Sequence, residues 1–95
     1  MATTKVENVH RPGKTYAVNA AKQAAMQVAV LSVLPAAAPG MTPAEVIAAV
    51  KPSLPQDLFP GGETAGWWMK SVQLDLEAKG IIRRADRPPV RLWKV

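Results

Sequence analysis

The side chains able to do chemistry in this chain are mostly basic, and they sit at its two ends. In residues 1–22, Lys5, Arg11, Lys14 and Lys22 stand against Glu7, a net of +3. In residues 81–95, Arg83, Arg84, Arg87, Arg91 and Lys94 stand against Asp86, a net of +4. Residues 23–80 between them carry −2. Clustering of this kind is the electrostatic footprint of a polyanion partner. The competing explanation is a solvated surface that keeps a small protein soluble.

Little else points to a reaction. With Cys 0 and His 1, thiolate chemistry and two-histidine metal motifs are excluded. No serine sits in a hydrolase motif, and His10 alone leaves no spare base for a triad. Gly13-Lys14 and Gly61-Gly62 lack the phosphate-loop pattern. Asp75 and Glu77, two apart on a helix, point about 200° away from each other and cannot act as a carboxylate pair. No enzyme, cofactor, metal or small-molecule substrate is expected. Of the adjacent Trp67 and Trp68, aimed about 100° apart, one is expected in the core. The other would pack on the connector, the C-terminal hairpin or a partner. Stacking on bases has no repeated basic–aromatic pattern behind it. Trp93 is expected to anchor the last strand to the third helix.

These groups must be carried by one modest domain. The chain has 95 residues, near the roughly 100–150 of a single domain, and buries only about 60–70% of its unfolded surface. Apolar residues at 48% fit a globular chain, and residues 1–95 read as one domain with an arm or hairpin at 1–19. No charged start leads into an apolar run, so no secretory signal is expected. Ala24–Pro39, broken by Gln27, Ser32 and Pro35, falls short of the roughly 20 apolar residues of a membrane span. The expectation is a cytoplasmic protein with no membrane partner.

Lys5–Asn19 surrounds the turn-forming group His10-Arg11-Pro12-Gly13 and reads as an extended arm or loose hairpin. Asn19 suits an N-cap for a first helix running to about Leu34, where Pro35 ends it. With Lys22 its only charge, that helix is expected to be buried on nearly all sides, centrally or at a subunit contact. In Met41-Thr42-Pro43-Ala44-Glu45-Val46, Thr42 and Glu45 form a capping box, Pro43 takes the first helical position, and Met41 and Val46 make a hydrophobic staple. This second helix buries Val46, Ile47 and Val50 and stops at Lys51. Pro52–Gly62 is a structured connector anchored by Leu54, Leu58 and Phe59, with a helical turn at Pro55–Phe59.

The third helix is expected from about Glu63 to Lys79. Its wheel gathers Ala65, Trp68, Met69, Val72 and Leu76 on one face and Trp67, Leu74 and Ala78 on a second stripe. Between the two lies a polar strip of Lys70, Gln73 and Glu77. Gly80 and Ile81 suit a Schellman stop against Leu76. Ile81–Ala85 and Val90–Val95, around Asp86-Arg87-Pro88-Pro89, read as an antiparallel hairpin with a basic tip.

Over roughly Ala20 to Val95 this order resembles a winged helix-turn-helix domain, an α+β fold of three helices with a two-stranded β-hairpin wing. Met41–Ile47 looks like the start of a helix-turn-helix pair, and Val72–Arg84 like a recognition helix running into the wing. Pro60-Gly61-Gly62 with Gly66-Trp67-Trp68 also resembles an uncharacterised family of small bacterial winged-helix-like proteins. The resemblance implies double-stranded DNA as partner and a transcription-regulator-like role, as a homodimer joined through the first helix or the arm. Thr64, Lys70 and Gln73 would then face bases in the major groove, and Arg83, Arg84, Arg87 and Arg91 would neutralise phosphates. Two departures keep a second reading open, a winged-helix protein–protein interaction module. The connector exceeds the roughly three or four residues of a helix-turn-helix. Glu77 also lies on the strip that should meet DNA.

Overall fold

A computed structural model describes residues 2–95 and gives an α+β architecture of three helices and two separate two-stranded antiparallel sheets. The order is β1 (Thr3–Glu7), β2 (Thr15–Asn19), α1 (Ala20–Val33), α2 (Pro43–Val50), α3 (Ala65–Ala78), β3 (Ile82–Arg84) and β4 (Leu92–Lys94). Among the described residues no helix is long and apolar enough to cross a membrane.

The helix ends follow local capping chemistry. The Asn19 side chain accepts from the Lys22 amide at 3.0 Å, which satisfies one of the orphan donors of α1. At α2, Thr42 Oγ1 accepts from the Glu45 amide at 3.2 Å, and Glu45 Oε1 accepts from the Thr42 amide at 2.8 Å. The bond from the Thr42 amide, with a smaller contribution from the Thr42 side chain, holds the Glu45 carboxyl below its ordinary value. At the end of α3 the Ile81 amide reaches the Leu76 carbonyl at 2.9 Å, and the Gly80 amide reaches that of Glu77 at 3.2 Å. This is the double bond of a Schellman stop, with Gly80 at φ +73°.

The core fills the space between the three helices and one face of β3–β4. Met26 and Val30 of α1, Val46 of α2, Phe59 of the connector, Leu76 of α3 and Leu92 of β4 are all buried there. The connector, residues 51–64, takes two single 3-10 turns, Lys51–Ser53 and Pro60–Gly62. The expected turn at Pro55–Phe59 is present, with the Phe59 amide on the Pro55 carbonyl at 2.9 Å.

α1 departs from the expectation of burial on nearly all sides. It buries one face, Gln23, Met26, Ala29 and Val30, while Val28 is 70% exposed. The opposite face is made of small residues such as Ala21 and Ala24, which expose little apolar area and need no cover.

A third segment joins the C-terminal hairpin. Met41 pairs with Leu92 through reciprocal backbone bonds of 2.9 and 2.7 Å, which ties the residue before α2's cap to β4. The approach is close enough that a Cβ on Gly40 would overlap the Leu92 carbonyl, and Gly40 sits at φ +82°. Gly80 has a similar φ but nothing within contact distance of such a Cβ. Gly80→Ala is therefore expected to cost about 1–2 kcal/mol from the left-handed backbone alone. Gly40→Ala, which adds steric overlap to the same penalty, should cost clearly more, read as a larger drop in denaturation midpoint at unchanged m-value.

Candidate nucleic-acid interface

The third helix carries the polar strip, and the packing around it decides which of its side chains face outward. Thr64, just before α3, is exposed at φ 60°, and its hydroxyl donates to the Glu63 carbonyl rather than capping the helix. Lys70 is exposed and makes no ion pair or hydrogen bond among the described residues. Gln73 does not face outward, as the strip had suggested, but is 1% exposed. Its Nε2 donates to Glu77 Oε2 at 3.1 Å, and its Oε1 is buried with no protein partner. The residue stands at the border between the apolar face and the strip, and the fold closes over it.

The expected phosphate contacts divide in the same way. Arg83 and Arg87 are exposed, and Arg91 is half-buried. Arg84 is committed internally and corrects the expectation of a free phosphate ligand. Its Nε and Nη2 donate to the two carboxylate oxygens of Glu77, each at 2.9 Å, a bidentate pair. Glu77 is only 7% exposed at its side chain and holds the guanidinium charged more firmly than usual. On the opposite face of the hairpin Arg83 stands across from Trp93, and Arg91 lies just ahead of β4, two residues before Trp93.

The N-terminal segment, expected as an arm or loose hairpin, is a hairpin, and it lies across the outer side of α3. Asp75, 2% exposed, accepts the Glu7 amide on Oδ1 at 2.8 Å and pairs with Lys79 at 3.0 Å one helical turn on. The Val9 amide reaches the Leu74 carbonyl at 3.3 Å. Of the second apolar stripe, Leu74 is half-buried beneath the hairpin, while Trp67 and Ala78 stay exposed.

The hairpin's turn then meets the other basic end of the chain. Arg84 Nη2 lies 3.4 Å from His10 Nε2. His10 in the turn of the first hairpin and Arg84 of β3, 74 positions apart, thus lie side by side.

The chain belongs to the DUF6958 family, a family of unknown function, whose model matches residues 3–92. No curated protein and no solved structure matches it. The DUF6958 match begins at the first residue of β1 and reaches the first of β4, so the N-terminal hairpin is part of the family unit along with the helices.

Between that hairpin and α3 a groove of about 420 Å³ remains open, with Val6, Tyr16 and Val18 on one side and Trp67, Lys70 and Leu74 on the other. Trp67 is 61% exposed and meets the buried Trp68 edge-on at 4.8 Å. Trp68 thus takes the core position, and Trp67 borders the groove.

Removing the carboxylate that docks the hairpin tests this arrangement. Asp75→Ala should leave the Glu7 amide without its acceptor, with Lys79 free to turn to solvent, and cost about 1–3 kcal/mol. Hydrogen exchange at the Glu7 and Val9 amides should rise more than exchange within α2.

Proposed function

We propose that the protein is a winged-helix domain that binds duplex DNA, chiefly through phosphates. The three-helix core, the β3–β4 hairpin as wing and the Met41–Leu92 bridge support the fold reading. The observation that carries the function is the meeting of the two basic ends at His10 and Arg84. It brings the turn that carries Arg11 and Lys14 beside the wing that carries Arg83, Arg87 and Arg91. A multi-phosphate contact needs cations that converge.

The acids on α3, which argued against DNA in the linear sequence, are turned inward. Asp75 is neutralised by Lys79 and Glu77 by Arg84, so the outward group on the middle of the helix is Lys70. The N-terminal half of α3, with Thr64 and Lys70, is the part left open by the hairpin, and helices in this role present their N-terminal residues to base edges. With Gln73 buried, few groups remain to read bases. The reading is therefore of strong salt dependence and weak sequence discrimination.

Anisotropy titrations with random-sequence duplex at about 50 and 200 mM salt test it. Affinity should fall by several decades over that range. Arg83→Ala with Arg87→Ala should flatten the log–log slope by roughly 1.8, at about 0.9 per phosphate contact. The charge-neutral pair Glu77→Gln with Arg84→Gln should leave the slope unchanged while lowering stability. Absence of binding at the lower salt would refute the reading.

A further inference from the structure

The outer edge of β2 is left open by the fold. The Ala20 amide donates to the Ala2 carbonyl at 3.1 Å, one step beyond the Thr3–Asn19 pair. Hydrogen-bonded and non-hydrogen-bonded pairs alternate along an antiparallel ladder, so Thr4–Val18 and Val6–Tyr16 exchange the bonds between the strands. Thr15 and Ala17 therefore aim their amides and carbonyls away from β1. The same phase holds on β1, where the Glu7 amide points out of the hairpin and reaches Asp75. Among the described residues nothing pairs with the outward backbone groups of Thr15 and Ala17.

The other strand edges are covered or guarded. β1 lies against α3 through Glu7 on Asp75 and Val9 on Leu74, and β4 is bridged by Met41. β3 is only Ile82–Arg84 and carries two arginines. β2, Thr15-Tyr16-Ala17-Val18-Asn19, has neither a charge nor a proline, the usual means of keeping an edge from pairing. Tyr16, 40% exposed, shares one face of the hairpin with Val6 and Val18, and all three line the groove that Trp67 borders.

We infer that this edge pairs with the same edge of a second copy, antiparallel and about a two-fold axis. The open groups fix the register: Thr15 stands opposite the partner's Ala17, and Tyr16 opposite the partner's Tyr16. Every outward amide and carbonyl of Thr15 and Ala17 is then satisfied, because each residue meets the complement of its own pattern, as a two-fold contact requires. Centring on Ala17 would instead demand Asn19, whose carbonyl opens α1. The two hairpins become one four-stranded sheet. Its central tyrosines form a non-hydrogen-bonded pair, where side chains approach most closely, and strand residues of like charge do not meet. An edge contact of this length falls below the roughly 1,200–2,000 Å² of a stable interface, so the dimer forms at high protein concentration. The pairing does not rest on duplex binding.

Sedimentation velocity of the intact protein from about 10 μM to about 1 mM tests this. The expected result is a shift from monomer to dimer, with hydrogen exchange at the Thr15 and Ala17 amides slowing as concentration rises. Ala17→Pro removes an outward donor without touching a β1–β2 bond, and Ala17→Lys puts a charge on the edge at an exposed position. Each should weaken the dimer about tenfold or more with an unchanged far-ultraviolet spectrum. In a chain with Cys 0, Tyr16→Cys should form a disulfide dimer with diamide, since Cα atoms across a non-hydrogen-bonded pair lie about 4.5 Å apart. Thr15→Cys, whose symmetry mate lies two positions off, should crosslink far more slowly. A monomer across the whole range would overturn the proposal, as would equal crosslinking of the two cysteine variants. A dimer that survives both Ala17 substitutions, or that protects amides of α1 in place of Thr15 and Ala17, would overturn it too.

Discussion

A buried carboxylate on the third helix organises the outer half of this molecule. Asp75 lies at the border of the core, almost without solvent, and is satisfied from two directions by the Glu7 amide and the Lys79 ammonium. A charge in such a place is tolerable only while both partners stay, because an unpaired buried ion costs several kcal/mol. The N-terminal hairpin is thereby held to α3 at a fixed register, reinforced by Val9 on the Leu74 carbonyl. A two-stranded hairpin alone is marginal in water, so its order depends on this docking. The groove exists because the hairpin is held against the helix, and the basic turn at His10-Arg11 reaches the wing for the same reason.

The charges are sorted by the fold. The acids of α3 that the strip would have shown to solvent are each spent on a nearby cation, Asp75 on Lys79 and Glu77 on Arg84. Lys22 of α1 is drawn inward as well, its ammonium 5.9 Å from the ring centres of Phe59 and Trp68. Arg83 and Arg87 remain outward, with Lys5, Arg11, Lys14 and Lys70 around the hairpin and helix. The two acids of α3 thus lie inside, while Glu7, Glu45, Asp57, Glu63 and Asp86 stay exposed among the basic groups.

What could be read in the sequence was what neighbouring residues decide. Asn19, the Thr42–Glu45 box and Gly80 act within a few residues of themselves, and their caps form as their spacing implied. The apolar face of α3 was legible for the same reason. Gln73 was not, because a residue at the border of two faces is buried or exposed by whatever packs beside it. Arg84 looked free because its partner, Glu77, becomes adjacent only after the chain reverses at Gly80. The docking of Glu7 on Asp75 spans 68 positions, and no local pattern specifies a contact of that separation. Apolar composition overstated the burial of α1, where small alanines cover a solvent face without needing a partner.

The meeting of the two basic ends on one binding surface is the central claim, and a nitrogen–proton correlation spectrum of the labelled protein titrated with a short duplex tests it most directly. Amides of residues 10–14 and 83–91 should shift together along the titration, with smaller shifts at 64–70, while those of Met26 and Val30 in the core of α1 stay in place. Shifts confined to one end of the chain, or centred on α1, would contradict it.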